Sequence, residues 1–193
     1  MNNQYYRTFI GLPLQVSPQF LQSRKELMEL LAEERISWVH PSRYHITLRF
    51  LGNTRISEIQ RISDALKETV EVPAKQYLSL DRLSSFGNRH KPRVLWIGFG
   101  DPTLFEVLKK MTDTALKICS IPGDEQPFKP HLTLGRIRNR VNLSAFHNCV
   151  ESMEDSFRGE VLVDRLVYYR SEPGPKGPLY TPLVQLNFKD QDF

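Results

Sequence analysis

Cysteine is scarce in this chain. Its 193 residues include two, Cys119 and Cys149, and their spacing suggests neither a CxxC pair nor a disulfide framework. A reduced, cytoplasmic protein is therefore expected. Long apolar runs are missing as well, so nothing is expected to span a bilayer. The opening stretch, MNNQYYRTFIGLPL, has no basic segment followed by a long apolar core, which argues against a signal peptide. The sequence contains no HExxH, no paired CxxC and no dense Asp/His cluster, so neither a catalytic metal nor a cofactor is expected. It also lacks GxxxxGK[ST], the usual equipment for ATP-driven chemistry. Lys and Arg total 26 against 22 Asp and Glu, a net charge of +4. That mild excess suits a polyanionic partner without requiring one.

What is present reads as an ordinary folded chain, with 40% hydrophobic and 25% charged residues. Its length allows one domain, residues 1–193, with a substantial core or two lobes sharing one. Strands are expected at Tyr5–Leu12, Tyr44–Leu51, Tyr77–Ser84, Val94–Phe99, His131–Ile137, Phe157–Tyr169 and Tyr180–Phe188. Apolar residues at helical spacing predict helices over Ser17–Glu34, Ile56–Val70, Pro102–Ile118 and Asn142–Met153. Ser85–Pro92 reads as a polar, basic connection, and PGPKGP at Pro173–Pro178 as a turn-rich loop.

An internal echo organises these elements. Ile10-Gly11 lies 35 residues before His45, and Ile97-Gly98 lies 34 residues before His131. Each half reads strand, helix, a strand carrying His-x-Thr-Leu, then helix. The expectation is an α+β fold of two pseudo-twofold-related lobes. Each lobe would be an antiparallel sheet with outer helices, and a cleft would lie between them.

The motifs are His45-Ile46-Thr47-Leu48-Arg49 and His131-Leu132-Thr133-Leu134-Gly135-Arg136. Side chains alternate along a strand, so each motif offers an imidazole and a hydroxyl on one face and apolar anchors on the other. One such motif would be weak evidence, since a strand histidine is more often structural. Two in matching contexts, facing across a cleft, fit the opening of a cyclic phosphodiester. Water attacks phosphorus better when a base takes its proton, and the departing ribose oxygen needs an acid. Histidine can serve either role near neutral pH. Threonine hydroxyls can donate to the non-bridging oxygens as charge builds on them. Residue types alone do not say which histidine is acid and which is base.

These segments resemble the two-histidine phosphoesterase superfamily, most closely the RNA 2′,3′-cyclic phosphodiesterases also described as 2′-5′ RNA ligase-like. The similar stretches are RTFIGLPL, HITLRFLGN, KPRVLWIG, PFKPHLTLGR and YTPLVQL, which together span almost the whole chain. The resemblance implies that His45 is the proton donor and His131 the proton acceptor. It also implies that the product is an RNA 2′-phosphate, with 2′-5′ joining as a possible reverse reaction. The partner implied is an RNA or oligonucleotide with a 2′,3′-cyclic phosphate end, bound by a monomer.

Phosphate also calls for cations. Arg43 and Arg49 stand at even spacing from His45 and are expected on its face, and Lys129 has the same relation to His131. Strict alternation puts Arg136 on the opposite face, unless a bulge at Gly135 re-aims it. Arg93 belongs to a basic patch with Arg89 and Lys91. Arg138 and Arg140 read as charged surface. Tyr6, Phe50, Phe86, Trp96 and Phe128 are candidates for stacking a base, with Trp96 leaning to the core. His40 and His147 lack the Thr context and read as non-catalytic. Two rival functions remain at this point: the same chemistry on a small cyclic nucleotide, or a non-catalytic RNA-binding module.

Overall fold

The structure, a computed structural model, describes residues 4–138, 141–175 and 177–190. Arg140 and Lys176 lie outside the described residues. Among the described residues, nine strands and four α-helices follow one another as β1 (Tyr5–Val16), α1 (Pro18–Leu30), β2 (Ile36–Trp38), β3 (His45–Arg55), α2 (Ile56–Thr69), β4 (Gln76–Asn88), β5 (Lys91–Phe99), α3 (Thr103–Ile118), β6 (Leu132–Ile137), α4 (Leu143–Ser152), β7 (Glu160–Val163), β8 (Arg165–Glu172) and β9 (Leu179–Asn187).

The helices start where sequence chemistry places them. Ser17 caps α1 by accepting from the Phe20 amide at 3.1 Å, with Pro18 in the first turn. Asn142 caps α4 in the same way through the Ala145 amide at 3.2 Å. Three strand expectations differ from the structure. The polar stretch Ser85–Pro92 is mostly strand, because β4 and β5 form one long hairpin that turns at Arg89-His90. Phe157–Tyr169 is two strands, β7 and β8. The strand β2, where no element is expected, has only three residues, too few for an alternating pattern to stand out.

Among the described residues, these nine strands pair with one another antiparallel throughout. One block runs β3-β1-β8-β9 and the other β2-β6-β5-β4, with β7 joining them by pairing with the end of β1 and the start of β4. The blocks are not the two halves of the sequence. The C-terminal strands β8 and β9 complete the sheet of β1 and β3, and β2 adds to the sheet of β6. The helices are exchanged too: α3, which follows β5, packs on α2 and β3, whereas α1 and α4 gather near residues 154–157.

The core lies between each sheet and its helices. On β1, Ile10 and Leu12 are buried; on β3, Ile46 and Leu48; and Ile62 and Leu66 on α2 and Phe105 and Leu116 on α3 close over them. Each such side chain contributes on the order of 1.5–3 kcal/mol when fully withdrawn from water. The opposite faces of both sheets carry the histidine motifs. No helix among the described residues is long and apolar enough to cross a membrane.

Candidate active site

His45 opens β3 and His131 immediately precedes β6. Each ring is fixed by its own chain two residues upstream. His45 Nδ1 lies 2.7 Å from the Arg43 carbonyl oxygen, and His131 Nδ1 lies 2.7 Å from the Lys129 carbonyl oxygen. A carbonyl can only accept, so Nδ1 carries the hydrogen in both, and Nε2 is left as the nitrogen that can exchange a proton with a ligand. Both rings, with Thr47 and Thr133, line one cavity of about 730 Å³. That volume suits a nucleotide-sized ligand.

Aromatic rings hold the imidazoles in place. Phe9 and Tyr180 lie 5.0 and 5.4 Å from the His45 ring, centroid to centroid, and Phe86 stands edge-on to His131 at 4.7 Å. Gly11 allows the close approach of β1 to β3 beside the His45 ring, since a Cβ there would sit 2.7 Å from the Ile46 carbonyl oxygen. Burial holds the protonation of both histidines below the ordinary range, and the carbonyl bonds to Nδ1 oppose this in part. Arg136 pushes both the same way, and His131 adds to the effect on His45.

The cations divide. Arg43 and Arg136 line the cavity. Arg136 reaches it because β6 carries a bulge. Leu95 pairs with Gly135 and Trp96 with Thr133, so Leu134 is an extra residue and the alternation shifts by one. Gly135 then turns toward β2, where a Cβ would lie 2.6 Å from Ile36 Cγ2. The expectation for Arg49 does not hold, for the same physical reason. On β3, Ile10 pairs with Arg49 and Gly11 with Thr47, leaving Leu48 as the extra residue. Arg49 is thereby turned away from His45 and buried. It pairs with Asp113 at 3.2 Å and Asp124 at 3.1 Å and donates to the Pro122 carbonyl. Phe50 takes the cavity-facing position instead.

Two other expected substrate contacts are also placed elsewhere. The Lys129 ammonium lies over the Trp96 ring at 4.4 Å and the Phe86 ring at 5.4 Å, outside the cavity lining. Its part at the site is its carbonyl. Arg93 is exposed on β5 and does not line the cavity. Of the aromatic candidates, Phe50 lines the cavity, while Phe86 and the buried Trp96 pack around His131. Tyr6 packs under the Arg170 guanidinium at 3.8 Å, and Phe128 near Lys109 at 5.9 Å. His40 bonds Ser42 and His147 bonds the Arg89 carbonyl, and neither lines the cavity of the two motifs.

The cavity also holds residues that strand reading passed over: Arg7, Phe9, Trp38, Arg138 and Tyr180. Arg7 and Phe9 could have been found, since they stand at even spacing from Gly11 on the strand that pairs with the first motif. Tyr180 enters from β9, remote in sequence from both motifs, and Trp38 from β2 through its pairing with β6; no local pattern announces either.

Known proteins share this architecture. An RNA 2′,3′-cyclic phosphodiesterase of Methanothermobacter thermautotrophicus is 26% identical over 92% of this chain and 96% of its own length. Another of that name from Archaeoglobus fulgidus is 33% identical over 81% of this chain and 86% of its own length. The crystal structure of TT0787 of Thermus thermophilus superposes with a TM-score of 0.70 at 26% identity, covering 96% of this chain and 100% of that one. The family model described as LigT like phosphoesterase matches residues 10–96 and 102–180, nearly the full span of the two motifs and their sheets, and the chain belongs to that family.

Proposed function

We propose that this protein hydrolyses the 2′,3′-cyclic phosphate at an RNA end to a 2′-phosphomonoester, using His45 as proton donor and His131 as proton acceptor. The observation that carries the reading is the matched pair of imidazoles. Each is tied through Nδ1 to a carbonyl at 2.7 Å, and both line the cavity that also holds Thr47, Thr133 and Arg136.

His131 Nε2 takes a proton from water as the water oxygen bonds to phosphorus. The P–O3′ bond breaks, and His45 delivers its Nε2 proton to O3′. The phosphate stays on O2′, and proton exchange with solvent resets the pair. Thr47 and Thr133 donate to the non-bridging oxygens, and the Arg136 guanidinium offsets their charge. A 5′-hydroxyl in place of water would give a 2′-5′ linkage by the same displacement. The assignment of donor and acceptor follows the family resemblance, since the two sites are alike in their own geometry.

A monomer working in the cytoplasm completes the proposal, and two free, buried cysteines fit a reducing compartment. Phosphorus NMR of a cyclic-ended oligonucleotide tests it. A 2′-phosphate signal replacing the cyclic one is expected. A 3′-phosphate, or no conversion, would overturn it.

A further inference from the structure

The reaction centre uses only part of the cavity. Along the β1 side the lining continues to Arg7, which the acid–base scheme leaves idle. The irregularities of the β1–β3 ribbon both fall on β3, so β1 alternates regularly. Arg7 and Phe9 line the cavity and share their side of β1 with Gly11; the Ile10 side chain is buried on the other side, and Thr8, also buried, borders the cavity. Their partners on β3 are Thr47, Phe50 and Asn53. Moving away from the histidines, the cavity wall therefore presents Thr47, then the Phe50 ring, then Arg7. The Arg7 backbone lies about 13 Å along the strand from Gly11.

Both outer members of this series are free to meet a ligand. Phe50 is 63% exposed, with the Phe9 ring 6.1 Å away on the neighbouring strand. Arg7 is exposed and enters none of the ion pairs among the described residues. The guanidinium of Arg138, also in the cavity lining, is by contrast already engaged with Ser37 Oγ at 3.4 Å.

A cyclic phosphate terminates its RNA, so the rest of the strand must leave the histidines in one direction. The wall toward Arg7 repeats the order found in a nucleotide chain: phosphate donors, an aromatic ring, then a cation. Resting on the function just proposed, we infer that Arg7 binds the phosphate on the 5′ side of the terminal ribose, with the base carried by that ribose lying against Phe50. Arg7 then distinguishes an RNA end from a cyclic nucleoside phosphate, which has nothing for it to bind. A charge-assisted guanidinium–phosphate bond that closes on binding and is shielded from water by the ligand is worth about ten-fold or more in affinity.

The test compares three substrates: adenosine 2′,3′-cyclic phosphate, the same compound bearing a 5′-phosphate, and a cyclic-ended dinucleotide. The readout is the ratio of kcat/KM for each phosphate-bearing substrate to that for the plain cyclic nucleoside. Arg7→Gln is expected to lower both ratios about ten-fold or more, Arg7→Lys to recover part of the loss, and the thermal midpoint of unfolding to show that the variants fold. Ratios unchanged in Arg7→Gln would overturn the assignment, as would a selective loss found in Arg138→Gln instead. If the wild-type protein opens none of the three rings, the proposed function falls along with the subsite. If it opens them and only the ratios fail to move, the subsite alone falls.

Discussion

Leu48 and Leu134 are the unpaired residues of two β-bulges set at the same point of the two histidine motifs, each one residue past the threonine. Each bulge reverses the facing of the residues after it. In the first motif it sends Arg49 into the protein and Phe50 to the cavity; in the second it sends Gly135 toward β2 and Arg136 to the cavity. The pseudo-symmetry of the site thus extends past the histidines to one aromatic and one cationic position.

Two arginines that look equivalent in sequence should therefore fail in different ways. Arg49→Gln breaks the cluster of Arg49 and Lys109 with Asp113 and Asp124. Because the two carboxylates are partly solvated, a loss of about 1–3 kcal/mol in urea unfolding is expected, with kcat/KM of the folded enzyme little changed. Arg136→Gln should show the reverse: near-normal stability and kcat/KM down about ten-fold or more. A selective loss of activity in Arg49→Gln at full stability would contradict the placement.

Much of this is legible in the sequence. Caps, helical periodicity and the repeated His-x-Thr-Leu point to the helices and to His45, Thr47, His131 and Thr133. Arg49 and Arg136 are not legible together, because bulges are set by pairing with a neighbouring strand. Strict alternation fails at Leu48 and Leu134 for a reason no single strand contains. Which strands and helices complete each sheet is hidden for a similar reason. Strands β8 and β9 complete the sheet of β1, and α3 packs on β3, choices made by the packing of remote elements.

The pH dependence comes from burial. Both imidazoles are held below 6.5, the ordinary histidine value. The proton acceptor must be neutral, so activity rises as pH passes its lowered pKa. The donor must be protonated, so activity falls as pH passes its own. A bell-shaped kcat/KM profile with its maximum below pH 6.5 is expected, since kcat/KM reports groups of the free enzyme. A plateau extending into alkaline pH would contradict the pairing.

Sulfur in place of the 3′-bridging oxygen separates the two roles. A thiolate leaves without needing a proton, so the substitution should restore much of the rate in His45→Ala and little in His131→Ala. Rescue of His131→Ala alone would exchange the two assignments.

The proposed scheme moves two protons and offsets charge with arginine, so it needs no divalent ion. Treatment with EDTA followed by transfer to metal-free buffer should leave the rate within about two-fold of its starting value. Loss of activity that a divalent ion restores would contradict this.

Catalysis as proposed requires the two imidazoles to act as one acid–base pair. Ring-opening rates of His45→Ala, His131→Ala and the double variant, measured on a cyclic-ended oligonucleotide, test that directly. Each single substitution is predicted to cost at least about a hundred-fold, and the double to cost little more than the worse single, because groups acting in one step do not add independently. A single variant that retains the wild-type rate would contradict it.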